Sequence, residues 1–281
     1  MDTIQNPTRS SADATVMARV NYLVPGDEKP YSYTYEPPPG KPWRNIVYAP
    51  QTMPIHDARR FTETPTLDVA GYAFAAEPTT FKAFDDSAAI ERDYHPEVAR
   101  SVQRATGASH VVVFDHTLRD GANEKLAADG VREPVKRAHN DYTLSSAPQR
   151  IRDLLPPAEA EARLARRYVF VNHWRPIRGV VRESPLGVID ARSIAFEDFI
   201  GSDLIYRDRI GETYGVRHNP AHRWVYYPDM TPDEVLLLKC FDSATDGRAR
   251  WTGHAAFDDP TSAPDAPRRR SIETRTIAFY D

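Results

Sequence analysis

Residues 224–241, WVYYPDMTPDEVLLLKCF, carry the pattern that decides the fold. An apolar run at 224–227 is followed by six residues that include Pro228, Asp229, Pro232 and Asp233, and a second apolar run covers 234–241. Short apolar and aromatic runs separated by such residues are typical of β-strands joined by turns. Cys240, the one cysteine, lies inside the second run and is predicted to be a core residue.

The same pattern extends outward over much of the chain. Short strands are predicted at 31–35, 109–118, 168–172, 186–189, 203–207, 213–217 and 271–280. Helical periodicity is confined to 79–106 and 148–167. Strands without alternating crossover helices favour a β-barrel or sandwich over a parallel doubly wound sheet. The sequence therefore predicts an α+β protein with a mainly β core and flanking helices.

Length and composition limit the function. A chain of 281 residues with 41% hydrophobic residues is expected to form one domain, over 16–281, after a mobile tail at 1–15. The polar stretch 119–137 is predicted to be a functional loop. A net charge of −4 disfavours nucleic acid and anionic membranes as partners. No apolar run is long enough for a membrane span or a secretory leader, so a cytoplasmic location is expected.

His139-Asn140-Asp141 places an imidazole and a carboxylate two positions apart. In extended backbone both side chains project to one face, where they can bind the same metal ion. One further histidine would complete a facial triad, the arrangement diagnostic of non-haem iron(II) oxygenases. His95-Pro96-Glu97 matches the same spacing, but Pro and Glu are ordinary residues of a first helical turn, so we interpret that copy as structural.

The third ligand has four candidates, which are His173, His218, His222 and His254. Only His254 precedes, by 15 positions, a basic residue that opens a strand, in Arg269-Arg270-Ser271. An arginine fork and a serine hydroxyl together suit the far carboxylate of 2-oxoglutarate. The same arginines also fit a solvated charge run after a Pro-rich loop, and spacing does not separate the two interpretations.

Several longer phrases resemble the gibberellin desaturase and CmcJ-like family, over about 17–279. They are Phe114-Asp115-His116-Thr117-Leu118-Arg119, Asn172-His173-Trp174-Arg175-Pro176, His222-Arg223-Trp224-Val225-Tyr226-Tyr227-Pro228-Asp229-Met230, Phe241-Asp242-Ser243, His254-Ala255-Ala256-Phe257-Asp258-Asp259-Pro260 and Arg270-Ser271-Ile272-Glu273-Thr274-Arg275. The resemblance implies a double-stranded β-helix (jelly-roll, cupin-like) fold. It also implies a dioxygenase of secondary metabolite biosynthesis that uses Fe(II), 2-oxoglutarate and dioxygen.

The family pattern maps its metal ligands onto His139, Asp141 and His254. Its 2-oxoglutarate anchor maps onto Arg269 with Ser271, and Arg275 is kept as the alternative because Arg270 stands where an acidic residue is expected. The implied reaction is C–H abstraction on a small-molecule natural-product intermediate. It ends in hydroxylation, desaturation, endoperoxidation or oxidative ring closure, such as aziridine formation from an amino acid.

Residues at two strand ends are further candidates. Asn172 and Arg175 are expected to bind 2-oxoglutarate or a substrate carboxylate. Asp115, His116 and Arg119 fit two interpretations, in which they either order the active-site loop or contact substrate, or form a structural ion pair. Two rival functions are a jelly-roll iron oxygenase that does not use 2-oxoglutarate and a catalytically silent cupin-like binding module. The expectations allow for a homodimer.

Overall fold

The computed structural model describes residues 15–120 and 134–281. The strands are β1 Thr15–Leu23, β2 Tyr31–Tyr33, β3 Tyr48–Asp57, β4 Tyr72–Ala76, β5 His110–Asp120, β6 His139–Asn140, β7 Tyr168–Pro176, β8 Leu186–Ile189, β9 Phe199–Ile205, β10 Ile210–Val216, β11 Trp224–Tyr226, β12 Glu234–Asp242, β13 His254–Ala256 and β14 Arg270–Phe279. The α-helices are α1 Ser87–Ala89, α2 His95–Thr106, α3 Ser146–Leu154 and α4 Pro157–Leu164. A π-helical turn, Ile90–Tyr94, joins α1 to α2.

The strands form two sheets. Within the described residues, one sheet has nine strands in the order β1-β3-β11-β8-β13-β6-β10-β9-β2, and the other has five in the order β4-β12-β7-β14-β5. Isolated bridges from Asn21 to Arg137 and from Leu23 to Arg217 bring β1 back against the β6 and β10 region. The larger sheet therefore curls, and the two sheets enclose a common interior, as a jelly-roll requires.

The interior between the sheets is filled by alternate residues of each strand. On β12, Leu236, Leu238 and Cys240 enter the inter-sheet cluster, whereas Leu237 belongs to a second cluster on the other face. The first cluster also receives Val188 from β8. Each such fully buried aliphatic side chain contributes roughly 1.5–3 kcal/mol. The prediction that Cys240 is a core residue is confirmed.

Helix α2 covers the outer face of the five-stranded sheet. Its Val98 and Val102 pack in the cluster that contains Val171 and Ile272. The helix has Pro96 in its first turn and ends at Gly107, whose φ of 68° suits a residue without a side chain. The interpretation of the His95-Pro96-Glu97 copy as the start of a helix is confirmed.

The main departures from the predictions concern strand bounds. β5 continues to Asp120, two residues past its predicted end, and β1, β3 and β13 were not predicted as strands. Residues 121–133 of the predicted loop and 1–14 of the predicted tail lie outside the described residues. Thr15, the last residue of the predicted tail, pairs with His56. The division into a tail and one domain stays a prediction. Among the helices of the described ranges, none is long and apolar enough to cross a membrane.

Candidate metal centre

Two histidines face each other across neighbouring strands. His139 on β6 is the register partner of His254 on β13, and their ring centroids lie 4.3 Å apart. Asp141 follows β6 two residues after His139, so it returns to the same face. One ligand atom from each of these three residues lies within 4.8 Å of the other two. This is the one such group of potential metal ligands in the described residues.

Hydrogen bonds fix which nitrogen of each imidazole faces the centre. The Nδ1 of His139 donates to the carbonyl of Arg137 at 2.9 Å, and the Nδ1 of His254 donates to the carbonyl of Thr252 at 3.3 Å. Both Nε2 atoms are thereby left as acceptors. The Nε2 of His254 is buried without a hydrogen-bond partner among the described residues. A metal ion would satisfy it.

The carboxylate of Asp141 is held by one of its two oxygens. Its Oδ2 accepts from Asn172 Nδ2 at 2.8 Å and from Arg275 Nε at 3.2 Å. Its Oδ1 lies 3.6 Å from the Nε2 of His139. Asn172, predicted to bind 2-oxoglutarate or a substrate carboxylate, and Arg275, predicted as the alternative anchor of 2-oxoglutarate, thus both hold the carboxylate of Asp141.

The protonation states of the ligands suit a metal ion. Burial, with a further effect of the neighbouring His254, lowers the pKa of His139 to about 3, so its imidazole is neutral at physiological pH. Burial acts to raise the pKa of Asp141, but the guanidinium of Arg275 and the two imidazoles outweigh it and hold that pKa well below its ordinary value.

Strand β14 lines the interior beside this centre with polar residues. Ser271, Glu273 and Arg275 alternate along the strand and oppose Arg119, Thr117 and Asp115 of β5. Glu273 forms an ion pair with Arg119 at 3.3 Å and accepts from Asn172 Nδ2 at 2.8 Å. Glu273 was not predicted. The sequence signal for Glu273 is its position midway between Ser271 and Arg275, since alternate residues of a strand share a face.

Arg269 closes the far end of a cavity that begins at the histidines. His139, His254, Trp174 and Arg269 line this cavity. The guanidinium of Arg269 lies 5.4 Å from the ring centroid of Trp174, and its Nη1 donates to the carbonyl of Ser184. Burial, and then the charge of Arg119, lowers the pKa of Arg269 to about 9. A carboxylate bound there would compensate the buried charge.

Two polar atoms at this end have no hydrogen-bond partner among the described residues. They are the Nε of Arg269 and the Oγ of Ser271, both buried. Unsatisfied buried donors are unusual in proteins. Arg269 and Ser271 are two positions apart, so on extended backbone their side chains point to the same face. The donor set at this end fits the free carboxylate of 2-oxoglutarate, and the His139, Asp141 and His254 set fits Fe(II).

Other predicted residues lie away from the cavity. Arg175 is three positions from Asn172 and therefore points to the opposite face of β7, where it donates to the Tyr94 hydroxyl at 3.0 Å and to the Glu77 carbonyl at 2.7 Å. The predicted role of Arg175 in binding 2-oxoglutarate or a substrate carboxylate is corrected to a structural one. His116 is likewise bonded to His95, at 3.2 Å.

The remaining histidine candidates are occupied elsewhere. His173 packs edge-on against Tyr94 on the outer face of the five-stranded sheet. His222 contacts the carboxylate of Asp198 at 3.1 Å, and His218 packs against Tyr22. Asp115 and Arg119 pair with Arg275 and Glu273, which favours the ion-pair interpretation of these two residues.

A jelly-roll whose interior presents two histidines and one carboxylate beside a cavity defines the class of mononuclear non-haem iron proteins. Comparison with known proteins narrows this class. The family model described as an oxidoreductase/YMDC permease-like domain matches residues 20–279. The hydroxylase/desaturase efuI of Hormonema carpetanum is 32% identical over 84% of this chain and 86% of its own length.

Two further similarities concern one relative. The Fe(II)/2-oxoglutarate-dependent dioxygenase nvfI of Aspergillus novofumigatus is 32% identical over 90% of this chain and 92% of its own. A solved structure of the iron and alpha-ketoglutarate-dependent endoperoxidase NvfI superposes with a TM-score of 0.87 at 29% identity, covering 96% of this chain and 99% of that one. The chain belongs to this family of Fe(II)/2-oxoglutarate-dependent oxidoreductases with a jelly-roll fold.

Proposed function

We propose that the protein couples the oxidative decarboxylation of 2-oxoglutarate to C–H abstraction on a small-molecule intermediate of natural-product biosynthesis. The names of its relatives, which include hydroxylase/desaturases and an endoperoxidase, support this class of reaction. The outcome is a hydroxylation, a desaturation, an endoperoxidation or an oxidative ring closure such as aziridine formation from an amino acid. The fate of the substrate radical depends on how the pocket holds the substrate.

The observation that carries the proposal is the pair of unsatisfied sites at the two ends of one cavity. At one end are the Nε2 atoms of His139 and His254 with the Oδ1 of Asp141, which would hold Fe(II). At the other are Arg269 and, on the same face, Ser271, which would hold the distal carboxylate of 2-oxoglutarate. Iron and 2-oxoglutarate, when bound, supply the oxidising power for the C–H bond.

The chain's own residues position and shield these groups. Asn172 and Arg275 fix one oxygen of Asp141, so the other is directed to the metal. The carbonyls of Arg137 and Thr252 hold the imidazoles in one tautomer. Trp174 and Leu186 line the cavity and reduce the space open to water.

The proposal is tested by two measurements on the purified protein. Anaerobic titration with Fe(II) is expected to saturate near one equivalent, and addition of 2-oxoglutarate and air is expected to yield succinate. His139→Ala and His254→Ala should both lose iron binding and succinate formation. His110→Ala is the matched control, because His110 is exposed at the start of β5. Retained iron binding and activity in either site variant would remove the triad assignment.

The same measurements separate the rival functions. Iron-dependent oxidation without succinate would assign an iron oxygenase that does not use 2-oxoglutarate, and absence of iron binding would assign a silent binding module. The cytoplasmic location and the homodimer stay predictions. Fractionation of the producing cells and light scattering of the purified protein test them.

A further inference from the structure

A wide cleft lies in front of the metal ligands, with His139 and Asp141 among its lining residues. It is bordered by β5, by α3 and by the hairpin of β9 and β10. Two guanidinium groups lie over aromatic rings in its walls. Arg150 stands 5.1 Å from the centroid of Phe114, and Arg209 stands 4.5 Å from that of Tyr206.

The acidic side chains of the cleft are mostly neutralised by other groups. Asp115 pairs with Arg275 at 3.0 Å, and Glu212 pairs with Lys29 at 2.7 Å. Within residues 15–120 and 134–281, by contrast, no carboxylate forms an ion pair with Arg137, Arg150 or Arg209. Asp153 is the one acidic residue of the cleft lining that has no basic partner in those ranges. The cleft therefore has an excess of positive charge toward an incoming ligand.

A second polar group faces the same space. Tyr142 directly follows Asp141, is only 9% exposed and lines the cleft. Its hydroxyl forms no hydrogen bond with another of the described residues, so it can bind a ligand in the cleft. A tyrosine hydroxyl can donate a hydrogen bond to a carboxylate.

We propose that the substrate is an organic acid with an apolar body, and that its carboxylate binds Arg150 together with the hydroxyl of Tyr142. A guanidinium stacked on a ring keeps the N–H groups of its edge free, and that edge matches a carboxylate in two hydrogen bonds. Leu204 and Ile210 supply apolar surface for the body of the substrate. This inference rests on the proposed function, since it names the substrate class of the same site.

The test uses matched pairs of probes. 4-Phenylbutyrate, cinnamate and octanoate, each beside its methyl ester, are titrated calorimetrically, without oxygen, into the full chain loaded with Mn(II) and 2-oxoglutarate. The unmodified protein should bind at least one acid about tenfold or more tighter than its ester, the scale of a hydrogen-bonded charge. Arg150→Gln should remove this discrimination and leave ester binding within about twofold.

Two further variants sharpen the result. Tyr142→Phe should weaken binding of the acid about threefold or more, since it removes one donor. Arg166→Gln is the control, because Arg166 is exposed two residues after the end of α4 and does not line the cleft. Equal binding of acids and esters, binding of no acid, or intact discrimination in Arg150→Gln would overturn the proposal. Failure of the unmodified protein to form succinate contradicts the proposed function instead.

Discussion

The two halves of β14 differ in what they place between the sheets. In the first half, Ser271, Glu273 and Arg275 share the inward face and carry polar groups, whereas in the second half Ile277 and Phe279 join the apolar cluster. A bulge in the pairing with β5 falls between the halves, at Arg275 and Thr276. One strand therefore adds to the apolar core at one end and carries the residues of the proposed 2-oxoglutarate site at the other.

The two halves of β14 differ in their contribution to the free energy of unfolding. Buried apolar groups contribute to the free energy of unfolding, whereas buried charges must recover a desolvation penalty through their partners. Glu273 and Arg275 recover it through bonds to Arg119, Asn172 and Asp141. Arg269 and Ser271 retain unsatisfied atoms, at the position of the proposed anchor for 2-oxoglutarate.

The largest expected effect belongs to the apolar half. Ile277→Ala removes a fully buried side chain and should lower the free energy of unfolding by about 2–5 kcal/mol, measured by urea denaturation. Ile277→Val should cost about 0.5–1.5 kcal/mol and serves as the graded control. If the alanine variant loses no more than the valine variant, the apolar half does not carry the stability assigned to it.

The next effect belongs to the polar half. Asn172→Ala removes one of the two donors that hold Asp141, so the dissociation constant for Fe(II) should rise about tenfold to a hundredfold. Anaerobic titration measures it. Asn219→Ala is the control, because it breaks an equivalent bond to Asp198 at 3.0 Å, away from the metal. Equal iron affinity in the two variants would contradict the orienting role of Asn172.

His173, on the outer face of the same sheet, should make the free energy of unfolding depend on pH. Burial lowers the pKa of His173 to about 3, from 6.5, so below pH 6.5 the unfolded chain binds a proton that the native chain does not. Stability is fully retained above pH 6.5 and falls as the pH drops toward 3, by up to about 1.4 kcal/mol per unit. Unfolding of the metal-free protein should show this loss from pH 6.5 to 5.

The contribution of His173 is isolated by substitution. His173→Gln should lose about 2 kcal/mol less than the unmodified protein over that interval, whereas His110→Gln, at an exposed position, should lose the same amount as the unmodified protein. His139 has a similarly lowered pKa and continues to contribute in both variants. An unchanged pH dependence in His173→Gln would show that this histidine is protonated in the native state.

The smallest effect separates function from stability within β14. Ser271→Ala should raise the KM for 2-oxoglutarate about threefold to tenfold, because one hydrogen bond is lost, and should change the free energy of unfolding by less than about 0.5 kcal/mol. Thr274→Val is the control, since its hydroxyl is also buried and unsatisfied but lies on the other face of the strand. Succinate assays that show the same KM in both variants would exclude Ser271 from the anchor.

The presence of a strong local pattern, and not length, separates the strand predicted at 186–189 from β3 and β13, which were not predicted. The predicted strand 186–189 agrees with β8 at both ends, because its aliphatic residues are bounded by turns. β13 has only His254, Ala255 and Ala256, which carry no β preference, and β3 contains Pro50 and Pro54. These strands form because neighbouring strands offer them hydrogen-bonding partners, which a local pattern does not report.

In the site, too, features set by local spacing could be predicted from the sequence, whereas those set by pairing between distant strands could not. The geometry brings His139, Asp141 and His254 together as predicted, since a spacing of two on extended backbone sets a common face. Arg175 and Asn172 lie on opposite faces of β7, and that follows from their odd separation once the strand is known to run without a bulge there. The bonds of Arg275 and Glu273 depend on pairing between distant strands, which no single segment encodes.

The pairing of His139 with His254 has a consequence for folding. β6 has two residues and meets β13 through this single register partner, so the sheet is narrowest where the ligands stand. A metal ion that binds only the native chain adds RT ln(1 + [L]/Kd) to the free energy of unfolding, about 2.7 kcal/mol at a hundred times Kd. Iron bound by His139 and His254 would thus also link β6 to β13. Its removal should loosen the sheet at β6 before the rest of the jelly-roll unfolds.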